Sequence, residues 1–207
     1  MKGFTADYNL MSPKDLPEAL EWLALTEAKP FAGGTDLMVQ LEAGRLPKGN
    51  YLSLHRLAEL KHIIVTDDEV RIGAGVTYSE IRKHPLLQSE FPMLIQAAKL
   101  TGAWAIQNRG TLAGNIANAS PAADSPPALL CYEAKLEIVC YEAKRESVSQ
   151  IARRQVAYRD FHQGYKKTDL HPHELISQII LPRLSQQSRD TNAQNEVLSE
   201  RQYYRKV

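Results

Sequence analysis

The residues best placed to do chemistry lie in two runs of small side chains. One is Phe31-Ala32-Gly33-Gly34-Thr35-Asp36-Leu37, and the other is Gly110-Thr111-Leu112-Ala113-Gly114-Asn115. Glycine allows positive φ and close backbone approach, so Gly33-Gly34 can turn successive N–H groups into one concavity. Such a nest holds phosphate oxygens, and a helix starting just after it adds partial positive charge. Thr35 can add a hydroxyl hydrogen bond. The expected occupant is an anion, with a dinucleotide diphosphate as the leading case. A side chain introduced at Gly34 is expected to enter this nest rather than the core.

Neither run fits G-x-G-x-x-G or G-x-x-x-x-G-K-[ST], which argues against the common dinucleotide and nucleoside-triphosphate folds. A Gly-Gly turn is also an ordinary strand-to-helix connection, so one loop alone leaves a purely structural role open. Asp36 stands at a helix start, where it could equally cap that helix. In the second run Thr111 and Asn115 supply polar groups, while Gly110 and Gly114 clear space. The segment Ser120-Pro121-Ala122-Ala123-Asp124-Ser125-Pro126-Pro127 follows. Asp124 reads equally as a cap for a helix over Pro126–Leu130 or as a carboxylate accepting from a ribityl hydroxyl or ring N–H. No nucleophile or acid–base set gathers in the sequence, and no catalytic or metal-ligating residue is assigned. His171-Pro172-His173 reads as a surface turn, since a metal needs more convergent ligands. A chain without its own acid–base set fits a cofactor that carries the reaction.

These loops must be positioned by alternating elements. The spacing of Leu16, Leu20, Leu23 and Ala24 predicts a helix over Met11–Leu25, capped by Ser12 with Pro13 in its first turn. Lys29–Ala32 and Tyr51–Leu54 read as strands, with a helix over Asp36–Ala43 stopped by Gly44. Residues 1–55 therefore read as a small α/β unit that needs a partner to bury its faces. Residues 56–182 read as a larger α+β part with a mainly antiparallel sheet. Ile63–Val65 and Val70–Ala74 form its hairpin. Thr77 to Glu80 has capping-box spacing and starts a helix ending near His84-Pro85. Pro92 opens another, reaching Thr101-Gly102. A helix over Ala123–Glu133, an alternating half-buried strand over Lys135–Tyr141 and a strand over Leu175–Leu181 stopped by Pro182 complete the part. Residues 183–207 read as a polar loop and then the beginning of a further strand, the start of a truncated domain.

Composition narrows the class. The chain has 207 residues, 43% hydrophobic and 24% charged, the proportions of a globular protein with a core. Lys plus Arg is 25 against 24 acidic residues, so no basic surplus points to nucleic acid or an anionic membrane. Lys144-Arg145 and Arg153-Arg154 read as solvated loop charges. No apolar run approaches a membrane span, and the first residues lack a secretory signal. Cys131 and Cys140 match neither zinc nor iron–sulfur spacing and read as small core or strand thiols in a reducing cytoplasm.

Both glycine runs, extended by Asn108-Arg109 before the second and by Ile116 to Ser125 after it, resemble the FAD-binding subunit of molybdenum hydroxylases. This is the family of xanthine dehydrogenase and the carbon monoxide dehydrogenase medium subunit. Phe161 to Thr168, Glu174-Leu175-Ile176 and Ile180-Leu181-Pro182 continue the resemblance in order. It implies a two-part FAD fold of the vanillyl-alcohol-oxidase (PCMH) type, with the cofactor FAD between the parts. It places Ala32, Gly33, Gly34, Thr35 and Asp36, with Thr111, Gly114 and Asn115, around the diphosphate and ribityl chain. Ser120, Asp124 and Lys206 fall near the flavin, and Ile176 packs on its ring. Ala113 departs from the glycine of many relatives, tolerable at negative φ. No histidine is placed for covalent flavin attachment.

The implied function is electron transfer: from a molybdenum centre through iron–sulfur clusters on partner subunits to FAD, then to NAD⁺, oxygen or another acceptor. The implied partners are a molybdopterin-binding large subunit and an iron–sulfur small subunit. The alternative is a nucleotide-binding or assembly module that holds its partners without turnover. The resemblance also implies a further C-terminal domain, so the chain reads as shortened, with the flavin losing one wall.

Overall fold

A computed structural model of the protein describes residues 7–142 and 150–183. The chain begins with β1 (Tyr8–Met11), α1 (Leu16–Leu25), β2 (Lys29–Phe31), α2 (Leu37–Glu42) and β3 (Gly49–Ser53). These strands form a parallel sheet in the order β1-β3-β2. Strand β1, not foreseen in the sequence, pairs along β3 and takes Met11 from the expected helix. Helix α1 accordingly starts later. Its cap is Asp15 rather than Ser12, with Oδ1 accepting from the Glu18 N–H at 2.9 Å. At the end of α2, Gly44 takes φ +67, the left-handed stop expected from its sequence.

The second sheet has the order β4-β5-β10-β6-β7 and is antiparallel throughout. Its strands are β4 (Ile63–Val65), β5 (Glu69–Gly73), β6 (Lys135–Glu142), β7 (Gln150–Ala157) and β10 (Glu174–Pro182). Between β5 and β6 run α3 (Tyr78–Lys83), α4 (Pro85–Glu90), α5 (Pro92–Leu100), α6 (Trp104–Gln107), α7 (Leu112–Asn118) and α8 (Ser125–Cys131). A short α9 (Tyr158–Phe161) and the ribbon of β8 (His162–Gly164) and β9 (Lys167–Thr168) precede β10. The expected α+β arrangement is present.

The hairpin and the α3 capping box follow their sequence signals. Thr77 Oγ1 accepts from the Glu80 N–H, and the Glu80 carboxylate accepts from the Thr77 N–H at 2.7 Å. Other elements do not. Helices α4 and α6 span one turn or little more, too short for a hydrophobic period to show. The second glycine run is no free loop, since Thr111 caps α7 and residues 112–118 are helical. Ala113 therefore sits at negative φ inside a helix, where its methyl is accommodated.

Strand β6 is not half-buried by alternation: Leu136, Glu137, Ile138 and Val139 are all buried. Glu137 is tolerable there because Ser177 Oγ and Arg153 Nη1 each donate to its Oε1 at 2.7 Å. Arg153 and Arg154 are thus strand residues of β7, not loop charges. Arg154 forks onto the Glu174 carboxylate at 2.7 Å and reaches Asp169 at 2.6 Å. Lys144-Arg145 lies outside the described residues. Cys140 is on β6, whereas Cys131 is exposed at the end of α8 rather than in the core. Among the described residues no helix is long and apolar enough to cross a membrane.

The small unit does bury a face on the rest of the chain. Helix α1 lays Leu16, Ala19, Leu20 and Leu23 against β6 and β10, in one continuous apolar cluster with Leu136, Ile138 and Ile176. His173 seals the end of this helix, its Nδ1 donating to the Leu23 carbonyl oxygen at 2.9 Å. Leu20 is wholly buried, so Leu20→Ala should cost about 2–5 kcal/mol of unfolding free energy. Urea denaturation of the two chains checks this.

Candidate functional site

The first glycine loop leaves β2 and turns into α2. Gly34 has φ +75, and its carbonyl oxygen accepts the Met38 N–H at 2.9 Å. Among the described residues, no acceptor takes the N–H groups of Gly33, Gly34 or Thr35. Gly33 lies directly on the second run: a Cβ there would stand 1.9 Å from the Arg109 carbonyl oxygen and 3.0 Å from Gly110 Cα. A Cβ on Gly110 would in turn lie 3.4 Å from Thr35 Oγ1. Only glycine permits so close a crossing of two backbones.

Side chains reinforce the contact. Arg109 Nε donates to the Gly33 carbonyl oxygen at 3.4 Å, and Asn118 Nδ2 donates to Asp36 Oδ1 at 3.3 Å. Asp36 therefore does not cap α2; its carboxylate accepts from Asn118 and from Gln40. Thr111 Oγ1 accepts from the Gly114 N–H at 3.0 Å, shaping the first turn of α7. A Cβ on Gly114 would face the Ala32 methyl across 4.0 Å.

Between the loops opens a cleft of about 570 Å³, within the usual range for ligand sites. Ala32, Gly33, Gly34, Thr35 and Asp36 line it from one side. Thr111, Gly114 and Asn115 line it from the other, and Ile176 lies on its wall. Ser120 and Asp124 are not on that wall. Ala119 takes φ 48 and redirects the chain; beyond it Ser120 Oγ accepts from the Ala122 N–H at 3.4 Å. Asp124 is exposed and makes no side-chain cap to α8. Lys206 lies outside the described residues. The expectation for Gly34 needs correction: a Cβ there would meet the Phe31 ring at 2.5 Å, so a side chain would distort the loop itself.

Sequence reasoning missed several walls. Leu37, Leu170 and Leu175 supply apolar surface, with Thr101 and Ile106 from the α5–α6 corner. Tyr78 also lines the cleft, although its sequence signal was only that of a helix start. Burial holds its phenol far above the ordinary value, to about 12, against the lowering effect of hydrogen bonds to Ser125 and Thr101. A second cavity of about 400 Å³ lies behind Gly33 and Thr111, lined by His55, Lys61 and Arg109. Lys61, then burial, Arg109 and Arg56 hold His55 below the usual imidazole value. Lys61 and Arg109 there face one carboxylate, that of Glu80. Among the described residues no three His, Cys, Asp or Glu side chains gather as a metal site.

The residues fit a dinucleotide such as FAD. Unclaimed N–H groups suit a diphosphate, with Lys61 and Arg109 behind the loops and Asp36 on the cleft wall, and the aliphatic walls suit flat rings. The Tyr78 phenol sets a pH limit on the fold. It stays neutral when folded but loses its proton near pH 10 when unfolded. The stabilisation is therefore complete below pH 10 and lost as pH rises towards 12, by about 3 kcal/mol. Urea midpoints from pH 9 to 12 should fall, and less steeply for Tyr78→Phe.

Comparison with known proteins agrees with this geometry. The family profile of the FAD binding domain in molybdopterin dehydrogenase matches residues 6–184. The xanthine dehydrogenase FAD-binding subunit of Escherichia coli O157:H7 is 33% identical over 169 residues, covering 81% of this chain and 55% of that protein. The glyceraldehyde dehydrogenase medium chain of Sulfolobus acidocaldarius is 30% identical over 182 residues, covering 87% and 62%. The chain thus spans little more than half the length of these relatives. Among solved structures, the cyanide-inactivated Cu,Mo-CO dehydrogenase superposes with TM-score 0.77 at 27% identity, covering 86% of this chain and 59% of that one. Quinoline 2-oxidoreductase from Pseudomonas putida 86 gives 0.76 at 26% identity, covering 84% and 59%.

Proposed function

We infer the function from one premise: the chain belongs to the family of FAD-binding domains of the molybdopterin dehydrogenases. We propose that it is the electron-transfer part of such an oxidoreductase, with its two parts, 1–55 and 56–182, closing on FAD. When bound, FAD supplies reversible redox chemistry that no side chain here can supply. The chain's own task is to bind, orient and shield. Residues 32–36 and the Thr111, Gly114 and Asn115 side of the cleft hold the diphosphate and ribityl chain. Ile176 gives the ring an apolar support, and Ser120 and Asp124, although off the cleft wall, are assigned to the flavin, Asp124 as acceptor from a ligand hydroxyl or ring N–H. Lys206 is assigned to the flavin end.

The observation that carries this reading is the crossing of Gly33 over Arg109 and Gly110, which leaves three adjacent N–H groups without protein acceptors. Electrons enter from iron–sulfur clusters on a small partner subunit, fed by a molybdopterin-binding large subunit, and leave to NAD⁺ or another acceptor. The names of the relatives support these partners, since they are medium chains and FAD-binding subunits of dehydrogenases. A reducing cytoplasm suits two cysteines that are both free.

The chain mixed with FAD and desalted should keep the flavin absorbance bands. Gly114→Ala is the sharper probe, because its Cβ would stand 3.0 Å from Thr111 Oγ1 and 4.0 Å from the Ala32 methyl, narrowing the cleft at the start of α7. It should weaken FAD binding more than about tenfold, one lost or distorted contact being worth 1.4 kcal/mol or more. No retained flavin, with capture of the partner subunits intact, would instead leave only the assembly module.

A further inference from the structure

Asn115 sits on the cleft wall, but what it offers a ligand depends on which end of its carboxamide points inward. Behind it lies Ser125, wholly buried at the start of α8. Ser125 Oγ donates to Asn115 Oδ1 at 2.8 Å. A serine hydroxyl has a single proton, so Ser125 can only accept in its 3.3 Å contact with Tyr78 Oη. Any bond there is donated by Tyr78. Thr101, the other neighbour of the phenol, gives its own proton to the Ala97 carbonyl oxygen at 2.9 Å and so it too only accepts. The single phenol proton is therefore shared between Ser125 and Thr101, while the bond from Ser125 on α8 to Asn115 on α7 runs one way. Asn115 Oδ1 is occupied, and among the described residues Nδ2 has no acceptor.

We propose that Tyr78 and Ser125 are positioning residues that lock the Asn115 carboxamide with its N–H₂ group towards the cleft. The site then selects a hydrogen-bond acceptor at that point, a phosphate, carbonyl or ring-nitrogen atom of the cofactor, and rejects a donor. This inference rests on the FAD reading. Buried polar chains of this kind hold one arrangement because each alternative leaves a member unsatisfied. Without Ser125 the carboxamide can rotate and present either end.

The test is a double-mutant cycle on the full chain, read by FAD titration and by the melting temperature of the FAD-free protein. Asn115→Asp keeps the oxygen that accepts from Ser125 but replaces the inward N–H₂ by a second oxygen. FAD affinity should fall roughly 10–100-fold, the span of one hydrogen bond involving a charged or developing partner, with little change in melting temperature. Ser125→Ala should cost several-fold alone and almost nothing in an Asn115→Ala background. Tyr78→Phe, which removes only the phenol hydroxyl, should follow the same pattern more weakly. Equal losses from Ser125→Ala in both backgrounds would overturn the relay, since Ser125 would then act by packing. Wild-type affinity in Asn115→Asp would overturn the donor assignment. A wild-type chain that takes up no FAD would overturn both this inference and the function it rests on.

Discussion

Everything at the site depends on one close approach: the backbone of Gly33 resting on Arg109 and Gly110. The space for a Cβ is filled by the Arg109 carbonyl oxygen at 1.9 Å, so no other residue fits without moving a backbone. This contact sets how far the loops stand apart. It also holds the N–H groups of Gly33 to Thr35 away from protein acceptors. Unsatisfied donors are costly when desolvated, and they are retained here where a polyanion can reach them.

The approach would be loose if the parallel and antiparallel sheets were independent. They are not, because α1 belongs to the first in sequence and to the second in packing. Its apolar face covers β6 and β10, and a single cluster of buried side chains runs from Leu16 to Leu181. A core shared in this way makes the cleft a property of the whole chain rather than of either loop. Small units with little surface to bury gain most from such sharing.

Polarity is distributed with the same logic. Lys61 and Arg109 bring positive charge behind the loops, beside Glu80 and a His55 that they hold towards its neutral form, while the cleft carries Asp36 among neutral groups and aliphatic walls. Tyr78 keeps its proton at ordinary pH as any phenol does, and burial extends that range upward to about 12. A binding site with fixed donors holds its ligand with little reorganisation.

What the sequence determined by itself was local. The Gly34 turn, the Thr77 capping box, the Ile63–Val70 hairpin and the Gly44 helix stop are each set by residues a few positions apart. The two glycine runs and the segments that follow the second sufficed to identify the family and the two facing edges of the cleft. Where a short element had no period of its own, as in β1, α4 and α6, contact with distant chain decided it, just as pairing with β6 decided β7. Ser12 is not the cap, because α1 begins only at Leu16, where Asp15 Oδ1 accepts the Glu18 N–H. Tertiary structure alone decided which polar atoms meet. Arg109 reaches Gly33 across 76 positions, Asn118 reaches Asp36 across 82, and Tyr78 reaches Ser125 across 47. No local propensity encodes such pairs. They exist because helices α3, α7 and α8 pack around one buried hydroxyl, and because two glycines leave room for two backbones to cross.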